Sequence, residues 1–476
     1  MIMQALESLS LSISSLSLAY RSNQISPVAV VDWIFRQIAQ REGDGVWTFV
    51  LPESEVLERA IWLEQRTFEE RAALPLWGIP FSVKDCIDIA GLPTSAGCPD
   101  FAYEAQHTNL VIQQLLDAGA ILIGKVNLDQ FATGLVGVRT GYDVPHNAFV
   151  ADFIPGGSSS GSAVSVAAGL VSFSIGTDTG GSGRVPAGLN NIVGLKPTKG
   201  LLSTHHMVHA CRTLDCVSIF ALTPNDAWEV FQVAKGFDLQ DPFARPEATP
   251  QHRLKTYEAG RPYKFGIPQK VHLEFFGNGD VEQAFAQAVA TLESLGGECQ
   301  EISYAPFLAA NDLLFKGPWV AERYASVGQF IEANPDSVLT TTRQIILRAK
   351  TISAAEVFEG LYELASIKRR VEALWDDIDM LLVPTTGTSY RIAEVEVDPI
   401  ALNTNLGYYT NFVNLLDLAA IAVPNGFQSN GVPTGVTMIS QPFTEAFLVE
   451  LGTMFYQHRS KTLESVGAPA SSALAT

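Results

Sequence analysis

Two short runs, GGSSSGS at 156–162 and GTDTGGSGRVP at 176–186, decide the reading of this chain. Each sets a serine among glycines, and Ser158 and Ser182 stand 24 positions apart. The intervening small and apolar residues read as a helix over 161–169 and a strand over 170–179. A serine hydroxyl is a weak nucleophile at neutral pH and needs a base within hydrogen-bond reach. No histidine lies near either run, but SVKD at 82–85 closes an apolar, strand-like segment. Buried at a strand end, Lys84 would lose its charge to desolvation and accept a proton. The competing reading pairs Lys84 with Asp85 in an ordinary ion pair. In TGGS at 179–182, glycine lets successive N–H groups converge on one point, as an oxyanion needs. Composition alone favours the plainer view that both runs merely turn.

Working outward, Ser26-Pro27 before VAVVDWIFRQIAQRE marks an N-cap, a first-turn proline and an amphipathic helix. A second helix fits 53–71. Strand-like segments then alternate with helices: strands at 76–85, 121–126 and 170–179, helices near 108–118 and 128–133. Strands return at 379–386, 420–427 and 435–440, and 280–376 is mostly helical in pattern. The alternation predicts an α/β fold with helices on both faces of a large sheet. The expected organisation is an N-terminal helical segment at 1–70 and one unit at 71–460. That unit has its core at 71–224 and 377–460, a helical insertion at 225–376, and a tail at 461–476.

The chain has 476 residues, 47% of them hydrophobic, which suits a large folded core. Its net charge of −19 opposes unaided nucleic-acid binding and repels anions, so an anionic substrate requires a local cation. The five cysteines are sparse and unpaired in spacing, as in a reduced, cytoplasmic protein. The first basic residue is Arg21, too late for a secretory leader. No run reaches the roughly 18 apolar residues of a membrane span. No cofactor or metal site is expected. His205 and His209 are four apart, but the acid that usually accompanies such a pair is missing and a loop role fits better. GSSSG at 157–161 also matches a nucleophile elbow, with Ser159 as nucleophile and His458 as its base.

The segment 156–200, ending in NNIVGLKPTKG, resembles the amidase signature, and the likeness extends over about 25–458. That family works through a Ser–cis-Ser–Lys triad on a mixed sheet covered by helices. The resemblance implies Ser182 as nucleophile, Ser158 as relay after a cis peptide, and Lys84 as base. It puts the oxyanion hole on the N–H groups of Thr179, Gly180, Gly181 and Ser182, beside an ion pair of Asp178 with Arg184.

Five further stretches are similar to the allophanate-cleaving branch of the family: 157–162, DQFATGLVG at 129–137, 210–223, GPWVAERY at 317–324 and 405–427. This likeness implies a small anionic amide as substrate, with Arg323, Phe315 and Gly134 around it. Arg323 matches the branch's carboxylate-binding arginine. Phe315 stands where the branch commonly has tyrosine, and Cys86 where amidases often have asparagine. A broader small-amide amidase and an amidotransferase subunit remain alternatives. Relatives are often homodimers, and many carry a C-terminal carboxycarbamate-processing domain. This sequence stops near the end of the amidase unit, so only amide cleavage is expected of it.

Overall fold

Three parallel strands organise the half of the molecule that holds the serine runs. In the computed structural model, which describes residues 9–246 and 262–465, thirteen strands form in chain order. They are β1 (Trp47–Val50), β2 (Pro80–Lys84), β3 (Pro93–Thr94), β4 (Tyr103–Glu104), β5 (Ile121–Val126), β6 (Phe173–Asp178) and β7 (Val193–Lys196). Then follow β8 (Cys216–Ala221), β9 (Tyr263–Pro268), β10 (Gly297–Ile302), β11 (Met380–Pro384), β12 (Ala419–Phe427) and β13 (Pro433–Ser440). Eleven of them make one sheet, in the order β1-β5-β2-β6-β8-β7-β12-β13-β11-β9-β10. The sheet is mixed: β5, β2 and β6 run parallel, as do β11, β9 and β10, and antiparallel pairs join the two groups.

The expected α/β architecture is what forms. Ser26 caps the helix Pro27–Gln40 by accepting from the Ala29 N–H, with Pro27 in the first turn. The helix expected over 53–71 divides into Glu53–Glu64 and Phe68–Ala72, because Thr67 and Glu70 form a capping box that starts a new helix. The reading of 225–376 as helical needs correction, since β9 and β10 lie inside it and extend the sheet. β10 is the edge strand GECQEI, polar and half-buried, so it carries little apolar pattern. The expectations for 1–8 and for the tail beyond 465 fall outside the described residues.

The strands under the serine runs are buried along their length. Phe81 and Phe173 face each other in register and stack at 5.1 Å, a cross-strand aromatic pair that locks β2 to β6. The helix Pro224–Ala234 buries Asp226, whose Oδ2 has no hydrogen-bond partner. Burial pushes this carboxyl up to about 7. The folded state therefore holds a proton that the unfolded chain gives up near pH 4. Stability from this group is complete below pH 4 and is lost as pH rises toward 7. Asp226→Asn is expected to raise Tm at pH 8, by on the order of 2–4 kcal/mol of stability, and to leave it nearly unchanged at pH 4. Thermal melts at the two pH values check this.

Candidate active site

The C-terminal ends of β5, β2 and β6 meet at one edge of the sheet, where parallel strands open a crevice. Lys84 is the last residue of β2. Alternate residues of a strand share a face, so Ser82 and Lys84 point the same way. Ser82 bonds Ser165 on the helix Ser160–Ala167 at 2.9 Å and Ser174 on β6 at 2.8 Å. Lys84 then reaches the loop at the start of that helix. Its Nζ hydrogen-bonds Ser158 Oγ at 2.7 Å and Thr177 Oγ1, on β6, at 2.7 Å. The rival partner, Asp85, faces away and pairs with Lys125 of β5 at 3.1 Å.

Lys84 is 0% exposed. Burial holds its pKa below the ordinary lysine range, although the Cys86 thiol and the carboxylates of Asp129, Asp215 and Asp178 act the other way. A buried amine with two hydroxyl partners and no carboxylate in contact is set up to be neutral.

The Ser158 loop is held from three sides. Gly157 and Ser158 are joined by a cis peptide, as the resemblance implied. The Gly157 N–H donates to Leu135 O at 2.8 Å, and Ser158 O accepts from the Asp129 N–H at 3.0 Å. A Cβ on Gly157 would lie 2.1 Å from Asp129 Oδ2, so the loop can approach that carboxylate only with glycine there. Ser159 spends its hydroxyl on Thr177 O at 3.0 Å, a structural bond that does not suit a nucleophile.

Ser182 follows β6 in the loop 179–184 and is buried. Asp178 shapes this loop. Its carboxylate accepts from the Gly181 N–H at 2.9 Å, the Gly183 N–H at 3.0 Å, and Arg184 Nε and Nη2 at 2.8 and 2.9 Å. Burial alone would raise the Asp178 pKa, but Arg184 and these donors outweigh it and hold it down. The expected Asp178–Arg184 pair is thus present, fully buried and bidentate. The Gly181 amide, expected in the oxyanion nest, donates to the Asp178 carboxylate in this structure. Gly181 has φ +136°, and a Cβ there would lie 2.4 Å from Thr410 Oγ1. The loop is fixed further by Thr410 Oγ1 donating to Gly180 O and Asn414 Nδ2 donating to Asp178 O.

The three expected substrate-side residues lie together but not as equals. Arg323, in the helix Val320–Ala333, is 2% exposed and gives Nη1 to Ala132 O at 3.2 Å and Thr133 Oγ1 at 3.0 Å. Phe315 ends the helix Ala305–Phe315 and places its ring 5.2 Å from the Arg323 guanidinium, a cation–π contact in place of a hydroxyl. Gly134 packs against the Asp129 carboxylate and Arg139. Of the histidines, His209 pairs with Asp215 at 3.1 Å, and Asp215 in turn accepts from Thr179 Oγ1 at 2.6 Å. His205 packs against His206, the rings tilted by 45° with centroids 3.8 Å apart.

Thr177, Asp129 and Asp215 were not picked out from the sequence. Thr177 and Asp129 could have been sought at, or just after, the C-terminal ends of the parallel strands. Asp215 has no local signal, because its partners come together only in the fold.

A cavity of about 550 Å³ opens beside this site, lined by Arg139, Asn311, Phe315, Asn403, Tyr408 and Asn411 among others. Asn411 connects the cavity to the nest, because a Cβ on Gly180 would lie 3.0 Å from Asn411 Oδ1. Among the described residues no helix is long and apolar enough to cross a membrane.

Comparison with known proteins places these features. The Amidase family pattern matches residues 30–449. A urea amidolyase of Saccharomyces cerevisiae is 42% identical over 418 residues, covering 87% of this chain and 22% of that protein. The chain thus spans about a fifth of the length of that relative. A glutamyl-tRNA(Gln) amidotransferase subunit from Acidobacterium capsulatum is 30% identical over 83% of this chain and 88% of its own length. The solved allophanate hydrolase of Kluyveromyces lactis superposes with a TM-score of 0.88 at 38% identity, over 95% of this chain and 73% of that one.

Proposed function

Since the chain belongs to the amidase family, we propose that it cleaves the terminal amide of allophanate, releasing ammonia and N-carboxycarbamate. The observation that carries the mechanism is the buried Lys84 amine, 2.7 Å from Ser158 Oγ and one loop away from Ser182. Thr177 accepts one N–H of the amine, and in the neutral amine the lone pair is available to Ser158. Neutral Lys84 accepts the Ser158 proton while Ser158 accepts that of Ser182. Ser182 Oγ bonds to the amide carbon, and the carbonyl π electrons move to oxygen. The N–H groups of Thr179, Gly180 and Ser182 receive that charge in a site closed to water, where such donors count most. The C–N bond then breaks, the nitrogen leaves as ammonia with the proton returned through Ser158, and water releases the acyl group by the same relay. Support for the substrate comes from the allophanate hydrolase and urea amidolyase likenesses and from Arg323 buried beside the cavity.

The test is ammonia release by the isolated chain from allophanate and from a panel of neutral amides. Preference for allophanate is expected. The likeness to amidotransferase subunits favours a second reading, and activity appearing only with added partner subunits would establish that one instead. Arg323→Ala is expected to raise KM for allophanate roughly ten- to a hundredfold while changing that for a neutral amide little, since a charge-assisted contact is lost. Steady-state kinetics on both substrates checks this, and equal effects would remove the carboxylate role.

A further inference from the structure

Arg139 was not among the residues singled out in the sequence, yet it is the buried one of the three cations that line the cavity. The other two are exposed: Lys316 pairs with Asp312 at 2.8 Å, and Arg348 bonds Phe315 O. Arg139 is 5% exposed. Its Nη1 donates to Thr133 O at 3.0 Å and its Nη2 to Pro399 O. Its Nε is buried without a hydrogen-bond partner.

Arg323 touches the same residue, Thr133, through its side chain, and its Nε is likewise buried and unpartnered. Two guanidinium groups therefore converge on Thr133. Among the described residues neither forms a salt bridge with a carboxylate, and their bonds go to carbonyl and hydroxyl oxygens. Asp129, which lies with Arg139 against Gly134, spends its oxygens on the Gly137 and Arg139 backbone N–H groups at 3.0 and 2.9 Å. Burial also favours the neutral form of Asp129, although Arg139 opposes this. An unpaired buried charge is costly and is held where a counter-charge arrives. Asn411, which also lines the cavity, abuts Gly180 of the nest. The cavity wall thus carries both Arg139 and a direct neighbour of the nest.

We propose that Arg139 is a specificity-determining residue, whose guanidinium, free of any carboxylate partner, meets the carboxylate of a small anionic amide as the second arm of a clamp with Arg323. This rests on the anionic-amide reading above and adds a second, cavity-lining cation to it. The charge on the substrate, rather than its size, is then what the cavity selects.

Binding separates this from a role in turnover. Malonamate, the CH2 analogue of allophanate, and neutral malonamide are titrated calorimetrically into the Ser182→Ala enzyme, alone and with Arg139→Gln, Arg139→Lys or Arg323→Gln. Arg139→Gln is expected to weaken malonamate roughly ten- to a hundredfold and malonamide less than about threefold. Arg139→Lys keeps the charge but loses the planar guanidinium, and is expected to weaken malonamate by about three- to tenfold. Should Arg139→Gln fail to fold, the lysine variant decides alone. Equal weakening of both ligands, or none, overturns the role of Arg139. Loss only with Arg323→Gln leaves a single-arginine site and overturns the clamp. No preference for malonamate before Arg139 is touched overturns the anionic-substrate reading itself, and the clamp with it.

Discussion

Ser182→Ala is expected to lower kcat for amide hydrolysis by at least about 10⁴-fold while Tm stays within a few degrees. The loss is large because alanine offers no atom to form the acyl-enzyme, and no neighbouring hydroxyl can take its place. Ser159 Oγ is committed to Thr177 O, and Ser158 is held against Lys84. The fold is expected to survive because the loop is shaped by its backbone and by Asp178, which accepts from the Gly181 and Gly183 N–H groups and from Arg184. None of those bonds uses the Ser182 hydroxyl. Ammonia release and thermal melting of the purified variant check both parts. Near wild-type turnover would falsify the assignment of the nucleophile.

Lys84→Ala is expected to cost about 10³- to 10⁴-fold in kcat at neutral pH, the range of a lost general base. The pH profile carries the sharper test. Only the neutral amine can accept the Ser158 proton. Burial lowers the Lys84 pKa, so the wild-type rate rises with pH through that lowered value, below the ordinary lysine range. In the alanine variant this rise disappears, and a small primary amine in the buffer restores part of the rate. Lys84→Arg stays charged at every working pH and is expected to be as inactive as alanine. A variant that keeps the wild-type profile would take Lys84 out of the relay.

Much of the fold could be read in advance where pattern is strong. Ile121–Val126 opens on the apolar run ILIG, Phe173–Asp178 alternates Phe173 and Ile175 with small or polar residues, and Pro27–Gln40 carries its own start signal in Ser26-Pro27. Reading passed over the apolar strands Cys216–Ala221 and Tyr263–Pro268 as well as short or polar ones. Val193–Lys196 is only four residues long, and Gly297–Ile302 lies at a sheet edge with little apolar burial, so neither has a period to detect. At the site, the glycine-flanked serines and Lys84 stood out as candidates, and the resemblance to the amidase signature supplied their expected roles. Arg139, Thr177 and Asp215 did not stand out. Each matters through a partner remote in sequence or beside a cavity, and no local run marks such a residue.

Residue order alone was therefore enough to propose the serines, the lysine and the glycine-rich turn that shapes the nest. It left open whether Lys84 pairs with Asp85 or faces a hydroxyl. The parallel pairing of β2 with β5 and β6 decided that question. It sends Asp85 to Lys125 on one face and Lys84 to Ser158 and Thr177 on the other, because adjacent residues of a strand point to opposite sides of the sheet. The same burial that removes water from the Lys84 amine leaves the Arg139 and Arg323 Nε atoms without partners. Desolvation is a property of three-dimensional packing, and no stretch of sequence specifies it by itself.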